Sequence, residues 1–190
     1  MHHQLKALSA AMLAAASIGS AAAADTSPLY VGADMGQATD LGHGLSGRAY
    51  VGYNFGGNQA FGLEQVHSVE LMAFSLGLKR PVYDFLPGFG GDPVRSEGLA
   101  INWATVMKLN ERWSINTRLG VDYAWTTTHY RYGSGHYTYE RPGVLADVGI
   151  GYKLTPNLTW TANLGYMPVK IDQNDKAEHP VITTGLRFGF

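Results

Sequence analysis

His67 and Ser68 are adjacent in this 190-residue chain, and Glu64 precedes them by only a few positions. A histidine can act as a general base toward a serine hydroxyl, and a carboxylate can orient that histidine. The surrounding residues alternate between apolar and polar types, which is typical of a β-strand, and neighbours on a strand point to opposite faces. We therefore expect no nucleophile–base pair here without a bulge, and we assign no catalytic residue.

Four further histidines, His43, His129, His136 and His179, lie in or beside long polar stretches. Imidazole is a common metal ligand, but the spacing of these residues matches no ligand motif. The chain has no cysteine, so it offers neither a thiolate metal site nor a disulfide. We predict solvated histidines, no metal and no other cofactor.

The stretch near 128–142 is rich in tyrosine and also contains glycine and serine. This composition is typical of adaptable recognition surfaces, and it would suit an external ligand. Tyrosine is equally at home in strands, so the stretch could instead extend two neighbouring strands. The sequence leaves both interpretations open.

Ten charged residues share the face opposite to the apolar residues of alternating segments. They are the acids Asp34, Glu64, Glu70, Asp122 and Asp147 and the bases Arg48, Lys108, Arg118, Lys153 and Arg187. If this face lines an interior, isolated charges would be costly there, and the two signs should pair. We expect each of the three arginines to lie near at least one of Asp34, Glu64, Asp122 and Asp147.

Eight segments carry this alternation, and no helical period competes with it. They lie near 28–37, 46–55, 60–76, 97–109, 113–127, 143–154, 157–167 and 180–190. A membrane-crossing strand needs about 9 to 11 residues, and lipid tolerates no unpaired sheet edge. The sequence predicts an all-β fold, an eight-stranded antiparallel transmembrane up-and-down β-barrel. Aromatic residues at the ends of the apolar face favour it over a soluble sandwich or lipocalin-like barrel: Tyr53, Phe55, Tyr123, Trp125, Tyr152, Tyr166 and Phe188.

The connections between segments alternate between short and long. Gly56–Asn58, Asn110–Arg112 and Thr155–Asn157 are short and turn-like, whereas the stretches near 38–45, 77–96, 128–142 and 168–179 are long and polar. In outer-membrane barrels short turns face the periplasm and long loops face outside. We expect both termini of the barrel in the periplasm.

Residues 1–24 are typical of a secretory signal peptide, leaving residues 25–190 as one barrel domain. Lys6 precedes an alanine-rich apolar stretch, and Ala22–Ala24 forms a cleavage site before Asp25. The net charge of −1 gives no electrostatic footprint for nucleic acid. Hydrophobic residues make up 45% of the chain although its mean hydropathy is only −0.10, as alternating strands would produce.

Several motifs resemble the OmpA-like transmembrane-domain family of small outer-membrane proteins. The chain closes on an alternating strand that ends in Phe188 and Phe190, which is similar to the assembly signal of such barrels. Gly62–Glu64, Arg112–Gly120 and Val148–Tyr152 also resemble this family. The resemblance implies an outer-membrane location. It also implies partners in membrane lipid, lipopolysaccharide and the barrel assembly machinery.

Three functions are compatible with that resemblance. The first is a structural and surface-interaction role in the cell envelope, without enzyme activity, in which the long loops could contact an external ligand. The second is a small passive channel, OmpW-like or OmpA-like, for ions or small solutes. The third is a lipid A-modifying enzyme, because some eight-stranded barrels modify lipid A with serine and histidine. A lumen of eight strands is just filled by side chains, which favours the first function.

Segment three contains a misfit, because Gln65 and His67 share the apolar face with Leu63 and Val69. A polar group without a partner in lipid costs roughly 2–7 kcal/mol. A bulge near Gln65 could turn His67 inward, a tilted strand could place the pair at the membrane interface, or the pair could contact another subunit. We favour the bulge, since it removes the cost without a new partner.

Overall fold

The computed structural model describes residues 28–38, 45–79, 93–129, 136–170 and 176–190. These residues form eight strands in one closed antiparallel barrel: β1 Leu29–Ala38, β2 Leu45–Ala60, β3 Leu63–Lys79, β4 Pro93–Lys108, β5 Trp113–His129, β6 His136–Lys153, β7 Leu158–Lys170 and β8 Lys176–Gly189. Within these ranges no helix is long and apolar enough to cross a membrane.

Each strand pairs with the next along the chain, and β1 pairs with β8 to close the sheet. Asp34 of β1, for example, lies opposite Arg48 of β2 and Gly185 of β8. We call the end that carries the connections 61–62, 109–112 and 154–157 the turn end, and the opposite end the loop end. The eight antiparallel strands predicted from the period-two pattern are confirmed.

The two faces of the sheet differ as the alternation predicts. Large apolar side chains of every strand point outward and are exposed, among them Val51, Leu71, Ile101, Val121, Val148, Leu164 and Leu186. A belt of exposed apolar residues around a closed barrel is the surface that lipid requires. The inward face holds most of the charged residues together with a separate group of buried apolar side chains.

The strands extend further than the apolar pattern indicated. β5 and β6 remain paired from Trp113 and Tyr152 to His129 and His136. Most of the tyrosine-rich stretch near 128–142 is therefore a β-extension of these strands, while residues 130–135 lie outside the described part. Of the two interpretations that the sequence left open for this stretch, the strand extension is the one observed in its described residues.

The turn predicted at Gly56–Asn58 is wrong, because these residues belong to β2. The chain reverses at Phe61 and Gly62, whose φ angles are 57° and 74°. Two consecutive positive φ angles are what the tightest hairpin turn demands, and glycine meets that demand without strain. The β2–β3 hairpin is therefore longer than expected, and β1, which begins at Leu29, does not accompany it to its tip.

The bulge predicted near Gln65 of β3 is also wrong. β3 pairs with β4 without interruption, and the irregularity lies in β2, where the pairing steps from Asn54 to Gly56 and leaves Phe55 as the extra residue. β2 can absorb an extra residue there because its β1 partner ends at this level, where Leu29 pairs with Tyr53. His67 therefore stays on the outward face.

Two glycines of the sheet lie in close contact with tyrosine rings that point into the lumen. A Cβ added to Gly32 would collide with the ring of Tyr50, and a Cβ added to Gly52 would collide with the ring of Tyr30. The two tyrosine rings meet edge to face, with centroids 6.4 Å apart. Glycine is needed at both positions because a larger residue would occupy the space of the tyrosine ring.

Candidate functional site

The centre of the lumen is occupied by a chain of buried ion pairs. Arg48 donates to Asp34 at 2.9 Å and also to Asp147, and Arg118 donates to Glu70 at 2.6 Å. A second guanidinium nitrogen of Arg118 lies 3.8 Å from Asp147, so the carboxylate of Asp147 joins the two arginines. All five side chains are almost completely removed from solvent. We call these five residues the lumen ion cluster.

Neutral polar side chains add further hydrogen bonds to this cluster. The Tyr30 hydroxyl donates to Glu70 at 2.7 Å and lies 2.7 Å from the Ser68 hydroxyl. Thr183 accepts a hydrogen bond of 2.6 Å from Arg48, and Thr161 donates one of 3.2 Å to Asp34. Buried charges persist when paired and hydrogen-bonded. Each of the five side chains has a charged partner, while Arg48 Nε, Arg118 Nη1 and Asp147 Oδ1 have no hydrogen-bond partner among the described residues.

The ring of Tyr50 lies under Arg118, with 4.5 Å between the guanidinium carbon and the ring centroid. Such a stack stabilises a guanidinium that has been removed from water. Neither tyrosine of the lumen was singled out from the sequence. Their inward positions follow the same period of two as Asp34 and Arg48, and that period was the signal that could have found them.

A layer of buried apolar side chains fills the lumen between the cluster and the loop end. Its members come from most of the strands: Ala38, Met72, Phe74, Leu76, Ala100, Ala124, Leu145, Met167 and Val181. Leu76, Met72 and Leu145 are fully buried. A path along the barrel axis would have to cross both this layer and the lumen ion cluster.

The remaining predicted lumen charges lie outside the cluster. Asp122 is buried on the inward face, but no ion pair between described residues includes it. Lys108 donates to Glu64 at 2.8 Å near the turn end, where 57% of the Glu64 side chain is exposed. Lys153 also lies at this end, where it lines the same cavity as Lys108.

Arg187 departs from the expected pairing. Among the described residues no carboxylate lies within 4.0 Å of its guanidinium, so the expectation that it approaches one of the four named acids is wrong. Its guanidinium carbon instead lies 5.3 Å from the centroid of the Tyr30 ring. The carboxylates of the lumen ion cluster are engaged by Arg48 and Arg118.

A cavity of about 220 Å³ opens beneath Arg187 at the turn end. We call it the turn-end cavity. Its polar lining consists chiefly of Lys108, Arg112, Ser114, Lys153, Thr159 and Arg187. The hydrogen bond that Arg112 donates to the Tyr152 hydroxyl, at 3.1 Å, raises the pKa of Arg112. That guanidinium is positively charged over the ordinary pH range, as arginine is in proteins generally.

His67 and Ser68 lie on opposite faces of β3, as their adjacency predicted. Ser68 is buried in the lumen, where it donates weakly to the Ala104 carbonyl at 3.4 Å. His67 faces outward, with ring nitrogens 3.1 Å from Thr105 Oγ1 and 3.3 Å from Asn58 Oδ1. The two side chains form no nucleophile–base pair.

The outward histidine belongs to the margin of the apolar belt. It pairs with Gly56, in the part of β2 that extends past the end of β1, and its ring centroid is 5.7 Å from that of Trp103. Trp103 also stacks on Phe55 at 4.8 Å. Aromatic and polar side chains together are typical of the level where lipid meets water. For His67 this geometry favours the interface explanation over the bulge, whereas Gln65 is only 8% exposed.

Phe188 and Phe190, the last aromatic residues of β8 and its end, lie at the turn end of the barrel. Phe188 and Phe190 stack edge to face at 5.3 Å, and the Phe190 amide donates to the Leu29 carbonyl at 3.2 Å.

His43 lies outside the described residues, as do the side chains of His129, His136 and His179. Within the described part no group of three potential metal ligands comes together.

No protein-family model matches the chain, and no curated protein matches it in sequence. Several solved structures match it in fold. Neisserial surface protein A matches with a TM-score of 0.58 and 17% identity over 86% of this chain and 98% of that one. The N-terminal β-barrel domain of Pseudomonas aeruginosa OprF matches with 0.53 and 10% identity over 85% and 96%.

A major outer membrane protein from Thermus thermophilus matches with a TM-score of 0.51 and 15% identity over 85% of this chain and 98% of that one. At such identities the likeness concerns the fold. The chain has the fold of small outer-membrane β-barrels, which the OmpA-like resemblance predicted.

Proposed function

We propose that the protein is an integral outer-membrane barrel with a closed lumen, which anchors surface-exposed loops in the cell envelope and does not conduct solutes. The observation that supports this most directly is the double obstruction of the lumen. The lumen ion cluster joins β1, β2, β3, β5 and β6 across the interior, and the apolar layer fills the space beyond it.

Opening a path for ions would require both obstructions to move. Separating one partner of a buried ion pair leaves an uncompensated charge, at a cost of roughly 3–5 kcal/mol. The apolar layer offers no hydrogen-bonding group to a hydrated ion, so displacing the cluster alone would not suffice. A lumen closed in this way suits a barrel that interacts with its partners at its two ends.

The outward face supports a position in the membrane. Aromatic side chains form one girdle near the turn end, including Tyr53, Trp113 and Phe188, and Tyr123 and Tyr166 lie toward the loop end. The two girdles bracket the exposed aliphatic residues, as in membrane barrels. With residues 1–24 as a signal peptide, the turn end and both barrel termini would face the periplasm. The loop end would face lipopolysaccharide and external ligands.

The absence of cysteine makes this orientation testable. We would introduce Ser134→Cys, in the connection between β5 and β6, and as its matched partner Glu111→Cys, in the turn between β4 and β5. A membrane-impermeant maleimide applied to intact cells should label the first variant. The second should react only after the outer membrane is permeabilised.

Labelling of Glu111→Cys but not Ser134→Cys in intact cells would reverse the proposed orientation. Fractionation of both variants with the inner membrane or the soluble fraction would contradict the outer-membrane location. The adjacency of His67 and Ser68 does not support the lipid A-modifying alternative, because these two side chains lie on opposite faces of β3.

A further inference from the structure

We propose that the turn-end cavity binds a phosphate group, held chiefly by Arg187, Lys153 and Lys108. The inference requires the fold of the turn end and nothing of the closed lumen, so it can succeed or fail independently of the proposed function.

The first argument is the charge of the cavity. Lys108, Arg112, Lys153 and Arg187 contribute four positive charges from three strands and one turn, whereas Glu111 is the one acid among the lining residues. Glu64 neutralises part of this charge through Lys108, but its side chain is largely in solvent. The walls of a barrel concentrate such a field, because they exclude the water that would screen it.

The burial of Arg187 also points to an anion. This residue is only 9% exposed, comparable to Arg48 and Arg118, and both of those have carboxylates within 4.0 Å. A buried guanidinium is costly without a counter-charge, and the ring of Tyr30 compensates only part of that cost. An anion that enters from the turn end would neutralise the charge of Arg187, as carboxylates neutralise the charges of Arg48 and Arg118.

The third argument is the supply of donors. Ser114 and Thr159 line the cavity beside the cations, so a bound oxyanion would meet hydroxyl groups as well as charges. A phosphate presents oxygens in several directions and accepts charge-assisted hydrogen bonds from all of them, whereas a carboxylate lies in one plane. The volume of about 220 Å³ corresponds to roughly seven water molecules at about 30 Å³ each, enough for a phosphate group with residual water.

Two sources share this chemistry, namely free phosphate and the phosphate of a phospholipid headgroup. Trp113 lines the cavity while its side chain faces outward, so a headgroup at the rim is within geometric reach. The two sources can be separated by solubilising the protein in an uncharged glucoside or maltoside detergent, which contains no phosphate.

The test is a titration of the folded protein with inorganic phosphate at low ionic strength, followed by backbone amide shifts in NMR spectra. We expect saturable shifts at residues 108–114, 153 and 187, and sodium chloride of equal ionic strength should not reproduce them. Arg187→Gln and Lys153→Gln should each weaken binding by about tenfold or more. Arg95→Gln is the matched control, since Arg95 is exposed and lies toward the loop end.

A second arm compares the protein in phosphate-free detergent with the protein in nanodiscs of phosphatidylcholine, with and without phosphatidylglycerol. Shifts at the same residues in the nanodiscs relative to the detergent, together with saturable phosphate binding in detergent, would identify the headgroup as the source. Phosphate binding without a lipid effect would identify the free anion. Linear, unsaturated shifts, or equal weakening by Arg95→Gln, would overturn the site. If Arg187→Gln does not fold, Lys153→Gln and the chloride comparison decide the matter.

Discussion

Replacing Arg118 by alanine should destabilise the barrel far more than replacing an exposed arginine. The Arg118 side chain is 5% exposed, donates to Glu70 at 2.6 Å and lies 4.5 Å above the ring of Tyr50. Its removal leaves the Glu70 carboxylate buried, with the Tyr30 hydroxyl as its one remaining side-chain donor among the described residues.

Breaking a buried pair from one side costs roughly 3–5 kcal/mol. One nitrogen of Arg118, Nη1, has no hydrogen-bond partner among the described residues, so the native contacts are incomplete and we expect the lower half of that range. The comparison is Arg95→Ala. Arg95 pairs with Glu97 at 2.7 Å, but 54% of its side chain is exposed, and such a pair contributes only about 0–1 kcal/mol.

The free energy of unfolding can be measured by urea titration of the protein refolded into lipid vesicles, using tryptophan fluorescence. The double variant Arg118→Met with Glu70→Gln should recover much of the loss, because it removes both charges and not one. Equal destabilisation by Arg118→Ala and Arg95→Ala, or no recovery in the double variant, would refute the buried pairing on which the reasoning depends.

Three further perturbations test other parts of the structure. Gly32→Ala should cost about 1–3 kcal/mol by urea titration, because the added methyl collides with the Tyr50 ring, whereas Gly47→Ala, whose Cβ would meet no atom closer than 4.0 Å, should be nearly neutral. Ser68→Leu should destabilise strongly because Ser68 is 1% exposed inside the lumen, while the adjacent His67→Leu should change stability little; the opposite order would place the two side chains on the wrong faces. Deleting Phe190 removes the contact with Phe188 and the hydrogen bond to Leu29, so folded barrel in outer-membrane fractions should fall while export is unchanged; normal amounts would contradict its role in assembly.

The face on which each side chain lies was predictable from the sequence, because side chains along a strand alternate between the two faces with a period of two residues. Once Val31 and Val51 are assigned to lipid, Asp34, Arg48 and their successors must point inward, and the buried cluster contains them. The same argument separates His67 from Ser68. No information about distant contacts is needed for these assignments.

Other features depend on distances along the sheet that alternation does not encode. Arg48 meets Asp147 from a strand that is not its neighbour, because the barrel brings opposite walls together. For the same reason the sequence could not show that Arg187 would face the Tyr30 ring and no carboxylate. Gly56–Asn58 has the composition of a turn, but the strand continues through it after a bulge at Phe55. The chain reverses only at Phe61 and Gly62, which have positive φ angles.

The closed lumen is tested most directly by the conductance of single protein molecules in planar lipid bilayers. The account predicts no stable conductance steps above the bilayer background for the purified, folded protein, although its insertion is shown by protection of the barrel from protease. Regular, ion-selective steps that scale with the number of inserted molecules would contradict it. They would show that both the lumen ion cluster and the apolar layer leave a continuous path.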